Sequence, residues 1–262
     1  MISEEDKSPI DMLISSLPPG IEAIDFILHS PGGFAEAVEM IVVMLRNKFR
    51  HIRFIIPHSA MSAATILALS GDEILMFQRS QLGPIDPQIS GPTSGPAQSI
   101  IDGFDEIKRE VEKSGKLNGA YVPILHKMDV STIKYCREAI TYGKRNVKTW
   151  LQQYMFRNLP TKEAKKKAEK ISRFFSNRRK HLTHRRPIMK DEAVKQGLVI
   201  KNIEEDEKLS DLIKEYYYRY ELILDGNPTI AKIFHSESEI IVKHAPIGPV
   251  VQIRTPTPPQ KK

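Results

Sequence analysis

Short apolar runs alternate with longer apolar stretches of helical spacing along the first third of the chain. The short runs predict strands, whereas apolar positions three and four residues apart predict helices. The predicted strands are 24–28, 52–56 and 73–77, and the predicted helices between them are 35–47 and 60–70. This β-α-β-α-β order with short connections favours a parallel sheet with right-handed crossovers and helices on its faces.

The remaining chain is predicted to be largely helical. Residues 83–96 hold too many Pro and Gly for regular structure and predict an ordered loop or lid. The other predicted elements are helices 100–114, 133–143, 147–157 and 161–177, a short helix that stops at Gly197, a strand 198–200, a helix 206–218 and a hairpin of 230–234 with 239–242. We expect a main domain over 1–200, a helix and hairpin extension over 201–254, and a disordered tail over 255–262.

The positive charge of the chain is local. The net charge is +7 over 262 residues, but the segment 161–186 alone holds eleven Lys or Arg against two Glu. Apolar residues on one side of this segment predict an amphipathic helix with a solvated basic face. The alternative is a surface that binds an acidic protein, RNA or anionic lipid head groups.

Composition also limits the location and the cofactors. The chain shows no secretory signal pattern and no apolar stretch near 20 residues, so we expect a soluble, cytoplasmic protein without an integral membrane segment. Cys136 is the only cysteine, which excludes an internal disulfide. His181 and His184 have helical spacing, but Arg185 and Arg186 would repel a cation, so no metal is expected. No phosphate-binding loop pattern occurs, so any ATP dependence would come from another chain.

Two predicted helices begin at positions that favour chemistry. One follows Ser30-Pro31-Gly32-Gly33, and the other begins near Ser62-Ala63. In a parallel sheet both helix starts lie at the carboxyl edge of neighbouring strands, where open α/β folds bind ligands. Free amide hydrogens at such starts can hold an oxyanion, and a hydroxyl in the first turn can act as a nucleophile.

Three motifs in this order resemble the serine dehydrogenase proteinase family, a branch of the Clp protease and signal peptide peptidase A superfamily with the crotonase-like fold. They are LHSPGG at 28–33, PHSAMSAAT at 57–65 and LGPIDPQ at 82–88, with a weaker likeness over 181–200. The resemblance implies an α/β fold built as a repeated β-β-α superhelix, here with a helical extension and a small C-terminal β hairpin. It also implies peptide-bond hydrolysis by Ser62, an oxyanion hole of the Gly33 and Ala63 amides supported by the turn at Gly32, no cofactor, and assembly into homo-oligomers.

The general base is left open by the sequence. Asp86 lies in the loop where Clp proteases carry a histidine, but a carboxylate between two prolines can equally brace the loop. Lys108 lies where signal peptide peptidases carry a lysine, but its surroundings are charged and helix-like. His58 is close in sequence and would have to fold back. Ser62 itself can be read as a helix N-cap instead of a nucleophile.

The sequence therefore supports one main hypothesis and two rivals. The main hypothesis is an ATP-independent serine endopeptidase that cleaves peptides or unfolded protein segments. The first rival is a catalytically silent oligomeric scaffold that binds acidic protein, RNA or lipid through the basic segment 161–186. The second is an acyl-coenzyme A enzyme of the same superfamily, which Ser62 disfavours because thioester chemistry of that kind needs no attacking hydroxyl.

Overall fold

The computed structural model describes residues 1–91 and 93–245 of the chain, so the predicted tail at 255–262 lies outside the described residues. The helices are α1 Lys7–Ser16, α2 Ala35–Lys48, α3 Ala63–Ala68, α4 Ala97–Ser114, α5 Val122–Leu125, α6 Val130–Gln153, α7 Thr161–Phe175, α8 Arg178–His181, α9 Lys190–Gln196 and α10 Glu207–Gly226. The strands are β1 Ala23–Ile27, β2 His51–Ile56, β3 Ser59–Ala60, β4 Glu73–Met76, β5 Gln81–Leu82, β6 Gln88–Ile89, β7 Gly95–Pro96, β8 Ile188–Met189, β9 Ile200–Asn202, β10 Ile230–His235 and β11 Ile240–His244.

A four-stranded parallel sheet in the order β1-β2-β4-β9 forms the centre of the fold. Its inner strands β2 and β4 bury apolar side chains on both faces, because helices cover both faces. On one face Phe54 and Ile74 belong to a large core that includes α2, α3, α6 and α7. On the other face Ile55 and Leu75 pack with Ile213 of α10. The mixed α/β fold with a parallel sheet is confirmed, whereas the repeated superhelix stays a prediction.

A second, three-stranded sheet lies beyond the carboxyl ends of the central strands. In it β3 runs parallel to β5, with Ala60 opposite Leu82, and β5 runs antiparallel to β8, with Leu82 opposite Ile188. The chain leaves β3 through Met61 and Ser62 and enters α3. This small sheet therefore places the turn at Ser62 next to the loop that follows β5.

The helix predicted at 60–70 is shorter than expected. It begins at Ala63, because Ser59–Ala60 forms a strand and Ser62 has a backbone conformation that no helix contains, with φ +53° and ψ −120°. The predicted loop at 83–96 contains two short strands, β6 and β7, which pair antiparallel. The strand predicted at 198–200 begins at Ile200 instead.

The prediction of two separate helices at 133–143 and 147–157 is wrong. A single helix, α6, continues through Gly143. Glycine is a helix-weakening residue, so the sequence pattern suggested a break there. In the structure Gly143 lies where α6 crosses α3, and a β-carbon on it would stand 3.9 Å from Ile66 Cδ1. The tertiary contact between the two helices outweighs the local preference.

The C-terminal part of the described chain is tied to its beginning. β10 and β11 pair antiparallel. Lys232 Nζ on β10 donates to Ser3 Oγ at 3.0 Å and to Asp6 Oδ1 at 2.5 Å.

Among residues 1–91 and 93–245 no helix is both long and apolar enough to span a bilayer.

Candidate active site

The two helix starts singled out by the sequence are in direct contact. A β-carbon on Gly32 would stand 2.7 Å from Ser62 Cβ and 3.1 Å from the backbone nitrogen of Ala63. Such separations leave no room for any side chain, so only glycine lets the first turn approach the second this closely. The Gly-rich turn and the serine turn are therefore packed against each other.

Ser62 is held in a sparsely populated backbone conformation. Its φ of +53° is one of two positive φ values among the described non-glycine residues. Such strain persists only where the surrounding structure imposes it, and it concentrates at functional sites. The sharp turn leaves Ser62 partly exposed at the start of α3, and its side chain makes no capping hydrogen bond. The N-cap interpretation of Ser62 therefore has no hydrogen bond to support it.

Backbone pairing on the outer side of the Gly-rich turn orients the amide of Gly33. The N–H of Ile2 donates to the carbonyl of Gly32 at 2.6 Å, and the N–H of Phe34 donates to the carbonyl of Ile2 at 3.0 Å. Residues of an extended segment alternate the side to which their amides point. The N–H of Gly33, between these two bonded groups, therefore points away from Ile2.

Both amides expected to hold an oxyanion are free. Neither the N–H of Gly33 nor that of Ala63 donates a hydrogen bond to any other residue within the described ranges. Ala63 is buried and is the first residue of α3, where the amides have no acceptor in the helix. Unpaired amides inside a protein are rare, and they are expected where an anionic group is to bind.

Hydrogen bonds fix the two turns to each other. The N–H of Ser30 donates to the carbonyl of Ser59, and the N–H of Met61 donates to the carbonyl of Ser30, each at 3.0 Å. The Ser30 hydroxyl accepts from the N–H of Gly32 at 3.1 Å. Main-chain pairing therefore holds the two turns in a fixed relative position.

Thr65 connects the serine helix to the proline-containing loop. Its Oγ1 donates to the carbonyl of Ala60 at 2.7 Å and accepts from the N–H of Gly83 at 2.9 Å. This buried hydroxyl therefore joins β3, α3 and the loop after β5.

Asp86 lies deep in that loop and has a histidine partner. It is 2% exposed. Its Oδ1 lies 2.8 Å from His184 Nδ1, and its Oδ2 accepts from Gln88 Nε2 at 2.9 Å. Nothing in the sequence pattern indicated this contact, since the two residues are 98 positions apart.

Lys108 and His58 lie in other surroundings. Lys108 is 63% exposed on α4, and its Nζ lies 3.7 Å from Glu112 Oε1. The His58 ring stacks on Tyr217 of α10 with ring centres 6.0 Å apart. Within the described ranges no hydrogen bond joins Ser62 Oγ to another residue, and the roles predicted for Asp86 and Lys108 stay predictions.

The comparison with known families agrees with this geometry. A family model described as ClpP-like SDH-type serine proteinase matches residues 2–221. The chain belongs to this family. The family match confirms the resemblance that the three sequence motifs carry.

Two relatives of the chain come from Methanocaldococcus jannaschii. The uncharacterized protein MJ0137 is 32% identical over 200 residues, which cover 75% of this chain and 59% of the relative. The uncharacterized protein MJ1495 is 40% identical over 103 residues, which cover 39% of this chain and 34% of the relative. The chain thus matches less than two thirds of the length of either relative.

Two solved structures are similar in outline. Both are of the 1510-N membrane-bound stomatin-specific protease. A serine-to-alanine mutant has a TM-score of 0.45 at 18% identity and covers 79% of each chain. A lysine-to-alanine mutant in complex with a substrate peptide has a TM-score of 0.43 at 19% identity, covering 77% of this chain and 71% of that one. These likenesses carry no residue role over to this chain.

One side of the basic segment 161–186 packs into the core of the fold. Helix α7 buries Ala168, Ile171 and Phe175 in the main core. Several cations of the segment 161–186 form ion pairs within the chain, namely Lys167 with Glu163, Arg173 with Glu169, Arg179 with Asp102 and Arg186 with Glu192. The amphipathic helix predicted from the sequence is therefore present.

The two histidines of this segment have different roles from each other. His181 is buried beside Phe174, and its Nε2 lies 2.7 Å from the Phe174 carbonyl, so the ring packs at the end of the basic helices as expected. His184 instead contacts Asp86. Over the described parts of the chain no group of three or more His, Cys, Asp or Glu is arranged to hold a metal ion.

Proposed function

We propose that this chain is a serine endopeptidase that cleaves peptides or unfolded protein segments, with Ser62 as nucleophile and the amides of Gly33 and Ala63 as the oxyanion hole. The observation that carries the proposal is the pair of free N–H groups beside a partly exposed hydroxyl that caps no helix. Membership in a serine proteinase family supports the reaction class.

The geometry favours acyl transfer for a physical reason. Attack by the Ser62 hydroxyl on a carbonyl puts negative charge on the carbonyl oxygen. Two preorganised amides at the pocket edge can stabilise this charge without rearranging, and one such donor typically contributes about 10²- to 10³-fold in rate. The positive end of the short helix α3 adds to the same field.

Self-association is part of the proposal. Large apolar side chains lie exposed on α10, among them Leu212, Tyr218 and Leu222, and on α2, where Met40 and Val43 are exposed. Exposed apolar surface of this kind is common at subunit contacts. We expect a homo-oligomer in which these helices contribute to the contacts.

A fluorophosphonate or β-lactone probe tests the proposal directly. We expect covalent labelling at Ser62, found by peptide mapping, and hydrolysis of an unfolded protein substrate such as casein. Ser62→Ala should abolish labelling and reduce hydrolysis to background. Ser99→Ala is the matched control, because Ser99 is an exposed hydroxyl on α4 and its loss should change neither readout.

Unlabelled protein, with hydrolysis unchanged in Ser62→Ala, would disprove the enzymatic proposal. The scaffold hypothesis would then take its place. It predicts salt-sensitive binding of a polyanion that is lost on charge reversal at Lys165 and Lys166, which are exposed on α7.

A further inference from the structure

The segment before α1 forms a short strand against the Gly-rich turn. The N–H of Ile2 donates to the Gly32 carbonyl at 2.6 Å, and the Ile2 carbonyl accepts from the N–H of Phe34 at 3.0 Å. Ile2 therefore pairs in parallel with Gly33, and its side chain is buried in the main core. A β-carbon on Gly33 would overlap the backbone of Ile2. The direction of the Gly33 N–H thus depends on the position of Ile2.

The Gly-rich turn needs such an outside contact. Glycine adopts a wide range of backbone conformations, so two successive glycines do not fix their own amides. The bonds of Ser30 to Ser59 and Met61 hold the chain just before the two glycines. Ile2 bonds to the residues on both sides of Gly33. An oxyanion donor acts through its exact position, and a displacement of about 1 Å can cost about 10²-fold in rate.

A buried carboxylate fixes the segment that carries Ile2. The Oδ2 of Asp6 accepts from the N–H of Ser3 at 2.9 Å, and the N–H of Asp6 donates back to the Ser3 carbonyl at 3.0 Å. Because Ser3 directly follows Ile2, these two bonds hold the chain beside the residue that pairs with the turn. Asp6 is buried, and a carboxylate removed from water needs a compensating cation.

The compensating cation comes from the C-terminal hairpin. Lys232 Nζ on β10 lies 2.5 Å from Asp6 Oδ1 and donates to Ser3 Oγ at 3.0 Å. Lys243 Nζ on β11 lies 3.8 Å from the same carboxylate oxygen. The hairpin is itself anchored, because Phe234 packs against the main core. It therefore holds the segment that borders the Gly-rich turn.

We infer that Lys232 is a positioning residue for peptide hydrolysis, which acts through Asp6 and Ile2 to fix the Gly33 amide where the oxyanion forms. This inference rests on the proposed function. Lys232 needs no contact with the substrate for this role. The turn at Ser62 is held by the pairing of β3 with β5, so a change at Lys232 should act on the oxyanion donor and leave the nucleophile in place.

Lys232→Met in the full-length chain tests the inference, because methionine keeps the apolar part of the side chain and removes the charge. We expect kcat on a casein-derived peptide to fall about 10- to 10²-fold with KM unchanged. Affinity for a peptide boronate should fall by a similar factor, because its tetrahedral adduct with Ser62 places an oxygen on the Gly33 amide. Lys232→Arg should restore both values. Lys208→Met, at an exposed lysine on α10, is the matched control and should match the parent chain.

A double-mutant cycle separates this role from a general loss of stability. Asp6→Asn removes the charge with which Lys232 pairs, so Lys232→Met should lower kcat little further in that background. Ile2→Pro removes the N–H that bonds to Gly32 and should also lower kcat with KM unchanged, whereas Ile2→Val keeps this bond and should act as the parent chain. Urea unfolding shows that each variant is folded at the assay temperature. Lys232→Gln replaces Lys232→Met in the cycle if the methionine variant does not fold.

The outcomes separate this inference from the proposed function. If the folded Lys232 variant keeps the parent kcat and boronate affinity, or changes KM alone, Lys232 does not position the Gly33 amide. Equal effects of Lys232→Met in the parent and Asp6→Asn backgrounds would also overturn the inference. In each case an inactive Ser62→Ala leaves the peptidase proposal standing. If Ser62→Ala keeps full turnover, the peptidase proposal itself is disproved.

Discussion

Gly32 packs directly against Ser62, with 2.7 Å between the position of a β-carbon on Gly32 and Ser62 Cβ. This contact joins two residues that are 30 positions apart along the chain and otherwise belong to different β-α units. It requires a glycine at position 32 and the strained turn at Ser62 together. It brings the turn that carries Gly33 against the first residue of α3, Ala63.

Gly32→Ala should therefore damage both the candidate site and the fold. The added methyl group would overlap the Met61 carbonyl at 2.6 Å, and the φ of +104° is one that alanine rarely adopts. We expect a loss of about 1–3 kcal/mol in the free energy of unfolding, measured in urea, together with loss of probe labelling. Gly103→Ala, in α4 with open space around it, is the control and should label normally. Normal labelling of Gly32→Ala would contradict the tight contact.

Gly143→Ala should stabilise the protein. Gly143 lies inside α6, and an added β-carbon would make an ordinary contact with Ile66 at 3.9 Å. Replacing a helix-interior glycine by alanine contributes about 1 kcal/mol where the space exists. Thermal unfolding should show a rise in Tm of about 2–4 °C. A fall in Tm would mean that α6 and α3 cross more tightly than described.

Asp72→Asn should be strongly destabilising. The buried Asp72 carboxylate lies 2.8 Å from Arg46 and 3.0 Å from Arg157, and it accepts from the N–H of Ile52 at 2.7 Å. Arg46 is only 8% exposed, so removing its counter-charge leaves a buried cation at a cost of about 3–5 kcal/mol. Asp25→Asn is the control, because the more exposed Asp25–Arg53 pair should contribute less than about 1 kcal/mol. Equal losses in the free energy of unfolding for Asp72→Asn and Asp25→Asn, measured in urea, would contradict this difference.

Stability should decrease on acidification through the histidine range. Burial is the main cause that lowers the pKa of His181, and also that of His29, below the ordinary 6.5. The unfolded chain then binds more protons than the folded chain just below pH 6.5, so the free energy of unfolding falls as the pH falls through that range. His181→Gln should reduce the slope of the free energy of unfolding against pH. Urea unfolding between about pH 5 and about pH 7.5 measures this slope, because the range extends about one to two pH units on either side of the usual histidine pKa. A steep slope retained in His181→Gln would show that other groups carry the acid sensitivity.

Local patterns predicted the fold better than they predicted the site. The strands at β1, β2 and β4 follow from apolar runs, and the convergence of the turns at Gly32 and Ser62 follows from a parallel sheet. The continuity of α6 through Gly143 depends on packing against α3, which a local pattern does not contain. The partner of Asp86 was missed for a similar reason, since His184 arrives through the antiparallel pairing of β8 with β5.

Cys136 has a practical consequence for chemical labelling of the native protein. It is the only cysteine in the chain, it is fully buried between α4 and α6, and burial raises the pKa of its thiol. Electrophilic warheads that react with thiolates as well as with activated hydroxyls therefore meet no accessible thiol on the folded surface. An adduct on the folded protein therefore marks an oxygen or nitrogen nucleophile. A thiol-specific dye, in contrast, reacts when α4 and α6 separate and expose Cys136.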